Sequence, residues 1–232
     1  MTAERDLRQA ICDVGRSLFD RGYVHASAGN ISARLTHGYL ITPTDACLGR
    51  MHPDDIALVD SSGQQRSGRK ASKTLELHRA IYDSDPSAQC VIHTHSTHLV
   101  ALSLQGVWRP DCVLPPITPY QVMKVGPVPL VACDVPGAKR VAQAVAGLIR
   151  ERPIRGVLLE RLGPVVWHTS PESASNVLEE LEETARLWLM AQGRVEPLDR
   201  AQLAGLREAF GVEWPDGSEN PPSFPAARDG GS

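Results

Sequence analysis

Three histidines fall within one short string, His93-Thr94-His95-Ser96-Thr97-His98. The apolar run Cys90-Val91-Ile92 precedes them and predicts a strand that ends near His93. Side chains two apart on a strand share a face, so His93 and His95 can approach one ion together, with His98 on the first turn of the next helix. Imidazole is a good zinc ligand, so these three residues are candidate ligands of a zinc site. The alternative is that these histidines lie at the start of a helix and bind no ion.

Three other segments carry residue types typical of anion binding. Gly29 and Asn30 end a run of small residues that lets backbone come close to a ligand. Thr44 offers a hydroxyl at a tight turn. Ser72 and Lys73 stand where a helix should begin, with free backbone N–H groups and a positive charge. Each segment alone is a weak signal, because hydroxyls near turns are common. Together with a metal site they predict a small phosphorylated or carboxylated substrate.

The composition excludes several partner classes. With 24 basic and 27 acidic residues the net charge is −3, which argues against nucleic-acid binding. No apolar run approaches the roughly 18 to 20 residues of a membrane span. The cysteines are scattered, odd in number and without a CxxC, which favours reduced thiols in a cytoplasmic protein. They are Cys12, Cys47, Cys90, Cys112 and Cys133.

The elements that must position these residues follow from periodicity and turn signals. Predicted helices cover residues 2–20, 72–83, 96–104, 138–149, 171–192 and 199–210. Predicted strands cover residues 30–35, 39–42, 56–60, 89–94, 113–117, 128–132, 157–159 and 165–167, with a polar loop at 61–68. Alternating helices and strands indicate a layered α/β fold, and closely spaced early strands require antiparallel pairs. We expect one domain over 1–212 and a flexible C-terminal tail over 213–232.

Five pieces of the sequence together resemble the class II aldolase/adducin family. They are SAGNISARL (27–35), LITPT (40–44), KTLELHRAIY (73–82), VIHTHSTH (91–98) and VLLERLGPVVWH (157–168). The resemblance runs from about Leu7 to Gln192. Within the family, the HTHSTH string, LPPITPY (114–120) and LEELEETA (178–185) are most similar to the branch of 3-oxo-tetronate 4-phosphate decarboxylases.

The resemblance implies a three-layer α/β/α fold around a mixed, largely antiparallel sheet. It also implies a homotetramer with zinc-containing active sites at subunit borders. By position, His93 and His95 match the paired metal histidines, and Thr118 and Tyr120 match a segment near the substrate. The phosphate or substrate pocket of the family matches Gly29, Asn30, Thr44, Ser72 and Lys73.

Two positions depart from the family pattern. The family usually carries a catalytic glutamate four residues before the histidine that corresponds to His78, and here that position is Thr74. It also usually places a third metal histidine in an Asn-His-Gly turn, where this chain has Leu162. A metal site would then be completed by His98, Glu76 or water, or it would be weak.

The resemblance implies a metal-dependent lyase that decarboxylates a 3-oxo-tetronate 4-phosphate to dihydroxyacetone phosphate and CO2. Decarboxylation needs an electrophile and then a proton, whereas aldol cleavage needs a base from the start. A missing glutamate therefore harms an aldolase more than a decarboxylase. Thr74, Glu76 and Tyr120 are the candidate catalytic positions. The alternatives are a sugar-phosphate aldolase or epimerase, and a non-catalytic adducin-like scaffold.

Overall fold

One mixed sheet of eight strands runs through the described part of the chain, in the order β4-β3-β2-β1-β5-β8-β7-β6. The computed structural model describes residues 2–135, 137–212 and 214–215. The strands are β1 (Asn30–Leu35), β2 (Gly38–Ile41), β3 (Ala57–Asp60), β4 (Gln65–Ser67), β5 (Cys90–His93), β6 (Leu130–Val131), β7 (Gly156–Leu159) and β8 (Gly163–His168). Only β6 and β7 pair in parallel among these strands; the other neighbours are antiparallel. The predicted mixed, largely antiparallel sheet is confirmed.

Helices cover both faces of the sheet, which gives the predicted three layers. They are α1 (Thr2–Asp20), α2 (Leu75–Ser84), α3 (Thr97–Gln105), α4 (Lys139–Glu151), α5 (Pro171–Met190) and α6 (Arg200–Phe210). On one face Ile31 and Ile92 pack in a core that includes Ile11 of α1, Leu99 of α3 and Leu178 of α5. On the other face Val91 and Val165 pack with Ile81 of α2 and Val145 of α4. The alternation of β1 and β5 thus decides which side chains lie under α2 and α4.

Helix α5 shows how local sequence sets an element. Ser170 is its N-cap, and the Ser170 hydroxyl accepts the backbone N–H of Ser173. Pro171 occupies the first helical position, where its missing N–H costs nothing. An apolar stripe that includes Leu178, Leu181 and Trp188 is buried on the sheet. The helix predicted from this pattern is confirmed.

Two predictions about strands were wrong. Residues 65–67 form β4 rather than loop, and all three are exposed and polar, so no apolar alternation marks them. Residues 113–117 form no strand, although Val113 and Leu114 are buried. Pro115 and Pro116 follow at once, and prolines cannot donate to a ladder. A single turn of π-helix (Gln121–Val125) comes next and was not predicted.

The packed chain continues past the predicted boundary at residue 212. Trp214 is 5% exposed and packs with Trp108, Cys112 and Val122 in a small apolar cluster beside α6. Trp214 of the predicted tail is therefore packed against the rest of the chain. Residues 213 and 216–232 lie outside the described residues.

Two further predictions from the sequence concern the state of the cysteines and the presence of membrane-spanning helices. All five cysteines are free thiols, as their scattered positions predicted. Among the described residues, no helix combines the length and the apolar character that crossing a membrane would require.

Candidate active site

The start of β1 and the end of β5 bring the first predicted segments together. Asn30 and His93 are paired residues of these antiparallel strands, so their side chains share a face of the sheet. Gly29 has φ +81°, and a Cβ on it would lie 2.6 Å from the carbonyl oxygen of His93. A glycine is therefore required where this segment crosses the histidine strand.

The hydroxyl-bearing turn lies beside the same strand. The Ile31 N–H donates to the Thr42 hydroxyl at 3.1 Å, and the Thr42 N–H donates to the Ile31 carbonyl at 2.9 Å. The Ser72 N–H in turn donates to the Thr42 carbonyl at 3.2 Å, and the Thr44 N–H donates to the Lys70 carbonyl at 2.9 Å. These bonds connect the segments that carry Thr44 and Ser72 to β1. Of the predicted anion-binding residues, Lys73 lines the cavity at the start of α2.

A cavity with about 620 Å³ of empty space, part of it open to solvent, joins the start of α2 to the end of β5. Lys73, Thr74 and Glu76 line one wall, and His93 lines the inner end. The other lining comes from residues 132–135, 137 and 138 and from Val141 and Ala142 of α4, and the apolar lining of the cavity includes Leu77, Leu159 and Leu162. The cavity therefore combines a cation, hydroxyl and carboxyl groups and an imidazole with a largely hydrocarbon wall.

His93 and His95 lie together, as strand alternation predicted. Their ring centroids are 5.1 Å apart. The Nδ1 of His93 donates to the carbonyl oxygen of Pro164 at 2.8 Å, which leaves the lone pair on Nε2. Burial lowers the pKa of His93 to about 4, so the ring is neutral at pH 7. Burial also lowers the pKa of the half-buried His95, with a smaller effect of the charge of His25.

The first residue of β8, Gly163, packs directly against the backbone of Thr94 and His95. Gly163 has φ +122°, and a Cβ there would lie 2.2 Å from the Thr94 carbonyl oxygen. The Thr94 N–H donates to the Pro164 carbonyl at 3.3 Å. Leu162 precedes this contact, lines the cavity and packs against the apolar cluster under α2 and α4. The side chain at position 162 therefore forms part of the wall next to His93.

His98 has other contacts. Its Nδ1 lies 2.8 Å from Oε1 of the buried Glu182, and its backbone N–H donates to the same oxygen. The Leu99 N–H donates to the other carboxylate oxygen of Glu182 at 3.0 Å. Glu182 thus satisfies two free N–H groups at the start of α3. The structure associates His98 with this cap rather than with the paired histidines.

Thr118 and Tyr120 lie on a different surface. Tyr120 is 61% exposed and lines a groove together with Lys124, Arg155 and His168. His168 ends β8 opposite Cys90, at the other end of the strands from His93. Thr118 is hydrogen-bonded to Glu180 of α5, and that bond partly offsets the rise that burial causes in the pKa of Glu180. Within one chain, the structure does not bring these two residues to the cavity.

A buried polar network under the cavity was missed by sequence reasoning. The Ser32 hydroxyl lies 2.7 Å from Nδ1 of His78 and 2.7 Å from the Tyr82 hydroxyl. His78 is fully buried, as a structural histidine should be, and its Nε2 has no partner. The one signal in the sequence was Ser32, a hydroxyl inside a strand whose neighbours Ile31 and Ala33 are apolar. The role of the Pro164 carbonyl carried no sequence signal, because it is a backbone group.

Comparison with known proteins identifies the family. Residues 9–189 match the model of the Class II Aldolase and Adducin N-terminal domain. The chain is 56% identical over 219 residues to a 3-oxo-tetronate 4-phosphate decarboxylase of Cupriavidus necator, with 92% of this chain and 100% of that protein covered. It is 42% identical to the protein of the same name from Escherichia coli K12, over 88% and 96% of the two chains. The chain belongs to the class II aldolase and adducin family.

Solved structures agree with this class II aldolase fold. The crystal structure of YgbL from Escherichia coli, described as a candidate aldolase, epimerase or decarboxylase, matches with a TM-score of 0.83 at 41% identity. The match covers 88% of this chain and 99% of that one. An L-fuculose 1-phosphate aldolase matches with a TM-score of 0.78 at 23% identity, over 89% and 96% of the two chains, and shows the shared fold.

Members of the class II aldolase family are typically dependent on a divalent metal. A catalytic zinc site generally has three protein ligands and one open position. His93 offers a suitable lone pair with its tautomer fixed from behind, and His95 adjoins it. However, no group of three or more His, Cys, Asp or Glu side chains within residues 2–135, 137–212 and 214–215 is arranged to hold a metal ion. The predicted set of His93, His95 and His98 is therefore not assembled, and the described residues of one chain do not fit a three-ligand zinc site.

Proposed function

We propose that this chain is a carboxy-lyase that decarboxylates a 3-oxo-tetronate 4-phosphate, a β-oxo sugar acid phosphate, to dihydroxyacetone phosphate and CO2. Relatives that carry the name 3-oxo-tetronate 4-phosphate decarboxylase support it at 56% and 42% identity over most of the chain. One structural observation carries the proposal: Lys73 and the neutral His93 line the same cavity. An adducin-like scaffold has no need of such a cavity.

The substrate phosphate is proposed to bind at the mouth of the cavity. Lys73 lines the cavity and supplies the charge there. Ser72 precedes Lys73 and donates its N–H to the Thr42 carbonyl, and Gly29 packs against the His93 carbonyl. Asn30 is 6% exposed, and its side-chain oxygen Oδ1 is buried without a hydrogen-bond partner. A substrate hydroxyl that donates to this oxygen would satisfy a group whose burial is otherwise costly. We therefore assign to Asn30 the substrate hydroxyl that lies between the ketone and the carboxylate.

The reaction requires little of the protein beyond position and one proton. When the carboxylate leaves as CO2, the electron pair of the broken bond passes to the ketone oxygen, and a positive or donating group at that oxygen lowers the barrier. The resulting enediolate then takes one proton on carbon, which gives dihydroxyacetone phosphate. Of the three candidate positions, Thr74 and Glu76 line the cavity, whereas Tyr120 lies elsewhere on the same chain. We propose Glu76 as the group that returns the proton and Thr74 as a residue that contacts the substrate.

The described part of the chain does not supply a complete set of side-chain ligands for a metal ion. A divalent ion, zinc by the chemistry of imidazole, would rest on His93 and His95 and would act as a Lewis acid at the ketone oxygen. With no third side chain arranged to hold it in the described part of the chain, no step above depends on the ion.

We also propose a homotetramer and a cytoplasmic location. The free thiols support the second proposal, since they suit a reducing compartment. The exposed position of Tyr120, at an open groove away from the cavity, supports contact between subunits at that surface.

The proposal is tested by following CO2 and dihydroxyacetone phosphate from 3-oxo-tetronate 4-phosphates, beside L-fuculose 1-phosphate as an aldolase substrate. Equal amounts of the two products from the oxo acid are expected. Lys73→Met should raise KM at least about tenfold, in line with loss of a charged hydrogen bond worth about 1.5–3 kcal/mol. Lys139→Met is the matched control, since Lys139 is an exposed lysine at the first residue of α4. Cleavage of the aldolase substrate alone, or turnover of neither, would overturn the proposal.

A further inference from the structure

Leu162 lines the same cavity as His93, and it stands at the sequence position where the class II aldolase family usually has its third metal histidine. Three backbone contacts fix this position: Pro164 holds His93, Thr94 bonds to Pro164, and Gly163 packs against the Thr94 carbonyl. None of them can shift far, because a Cβ at Gly163 would already overlap the neighbouring strand. The residue before Gly163 is therefore held at the wall of the cavity, and its side chain is hydrocarbon.

The carboxylates on the far wall do not compensate for this leucine. Asp134 forms an ion pair with Arg140. Glu160 accepts the backbone N–H of Cys133 at 2.9 Å. These groups and the exposed Glu76 line the cavity but form no group of ligands with the two histidines in the described chain. His98, the other candidate, is bound to Glu182.

We infer that this chain does not retain a tightly bound divalent metal, and that residue 162 alone decides this. The inference concerns the cavity assigned under the proposed function, but it does not depend on which reaction occurs there. Two imidazoles without a third ligand hold zinc weakly, since a catalytic zinc site normally takes three. Loss of even an outer hydrogen bond to a ligand typically lowers metal affinity about 10- to 100-fold, and loss of a direct ligand should exceed that. Leu162→His should therefore tighten zinc binding by at least about 100-fold.

The test measures metal, not turnover. Untagged full-length protein and the Leu162→His variant are dialysed against a weak chelator, and bound zinc is measured by elemental mass spectrometry. Zinc affinity is then determined by competition with a chromophoric chelator, and cobalt(II) absorption reports the coordination geometry. We expect much less than one zinc per chain in the natural protein and about one in the variant, with a tetrahedral cobalt spectrum.

Two further variants show whether the gained site is the one described. Leu162→Phe adds a ring of similar size without a donor and should bind no more zinc than the natural protein. Leu162→His combined with His95→Ala should lose the gain. Circular dichroism shows whether each variant folds, and melting with and without zinc should show a stabilising shift only for Leu162→His.

Several outcomes would overturn the inference. Stoichiometric, chelator-resistant zinc in the natural protein would mean that other ligands complete the site. A folded Leu162→His variant with no increase in affinity would mean that residue 162 is not the position that decides it. The assay of CO2 release is independent of both. A natural protein that decarboxylates and holds zinc tightly refutes this inference alone, and one that lacks both zinc and turnover refutes the proposed function alone.

Discussion

At the scale of single residues, the cavity has the cation Lys73 but no acid/base carboxylate at position 74, where Thr74 lies. Thr74 stands at the N-cap of α2 but makes no side-chain cap hydrogen bond there; its hydroxyl lies 2.9 Å from that of Ser72. A carboxylate at position 74 would interact favourably with the dipole of α2 and would lie in the cavity next to Lys73. Position 74 can therefore change charge with little cost to the fold.

We predict that Thr74→Glu spares or raises the rate of decarboxylation. The new carboxyl group can deliver the proton that the enediolate needs. The N-terminus of α2 stabilises the ionised form of this carboxyl group by about 0.3–1 kcal/mol. The measurement is kcat for CO2 release, beside the free energy of unfolding. Thr97→Glu, at the exposed first residue of α3, is a control for added charge. Collapse of activity in a folded Thr74→Glu protein would show that position 74 is wrongly placed in the site.

At the scale of elements, the sequence predicted the helices and strands whose local residue patterns are typical of one conformation. The apolar period of α1 and the Ser170-Pro171 start of α5 fixed those helices, and both were confirmed. The site was predicted in part: strand alternation brought His93 and His95 together. Contacts between segments that are distant in the sequence could not be predicted from local residue patterns. The link of His98 to Glu182 spans 84 residues of sequence and depends on how α3 packs on α5.

The turn that carries Gly163 is the element on which the histidine pair most depends. A Cβ there would lie 2.2 Å from the Thr94 carbonyl oxygen, and the backbone is in a conformation that favours glycine. We predict that Gly163→Ala lowers the free energy of unfolding by about 2–4 kcal/mol, from overpacking and backbone strain together. It should also displace Pro164 from His93 and so reduce kcat in the protein that remains folded.

Urea denaturation checks this prediction, with Gly147→Ala as the matched control. Gly147 lies inside α4, and a Cβ on it meets nothing within 4 Å. The control should gain about 0.5–1 kcal/mol, because alanine is the better helix former. Gly163→Ala with the stability of the natural protein would show that the turn can move away from β5.

At the scale of the whole molecule, the fold buries neutral imidazoles in the layer under α2. Burial is the main cause that lowers the pKa of His78 to about 3, and the charge of His93 adds to it. In the unfolded chain a histidine titrates near pH 6.5. Between these values the unfolded state binds a proton that the folded state excludes, so stability rises with pH across this range. Carboxylates with lowered pKa, such as Glu179, act in the same direction but only near and below pH 4.5.

We therefore predict that stability falls as the pH drops from about 6.5 to 5, well before the carboxylates titrate. Each buried neutral histidine contributes up to about 1.4 kcal/mol per pH unit in this range. His78→Gln keeps a group that can accept from Ser32 and should remove about one proton from the slope of unfolding free energy against pH. His37→Gln, on an exposed turn, is the control and should leave the slope unchanged. Equal slopes for the natural protein and folded His78→Gln would mean that His78 takes up its proton inside the native structure. The polar network with Ser32 and Tyr82 would then have to open to water without unfolding the sheet, and hydrogen exchange at β1 and β5 would show that opening directly.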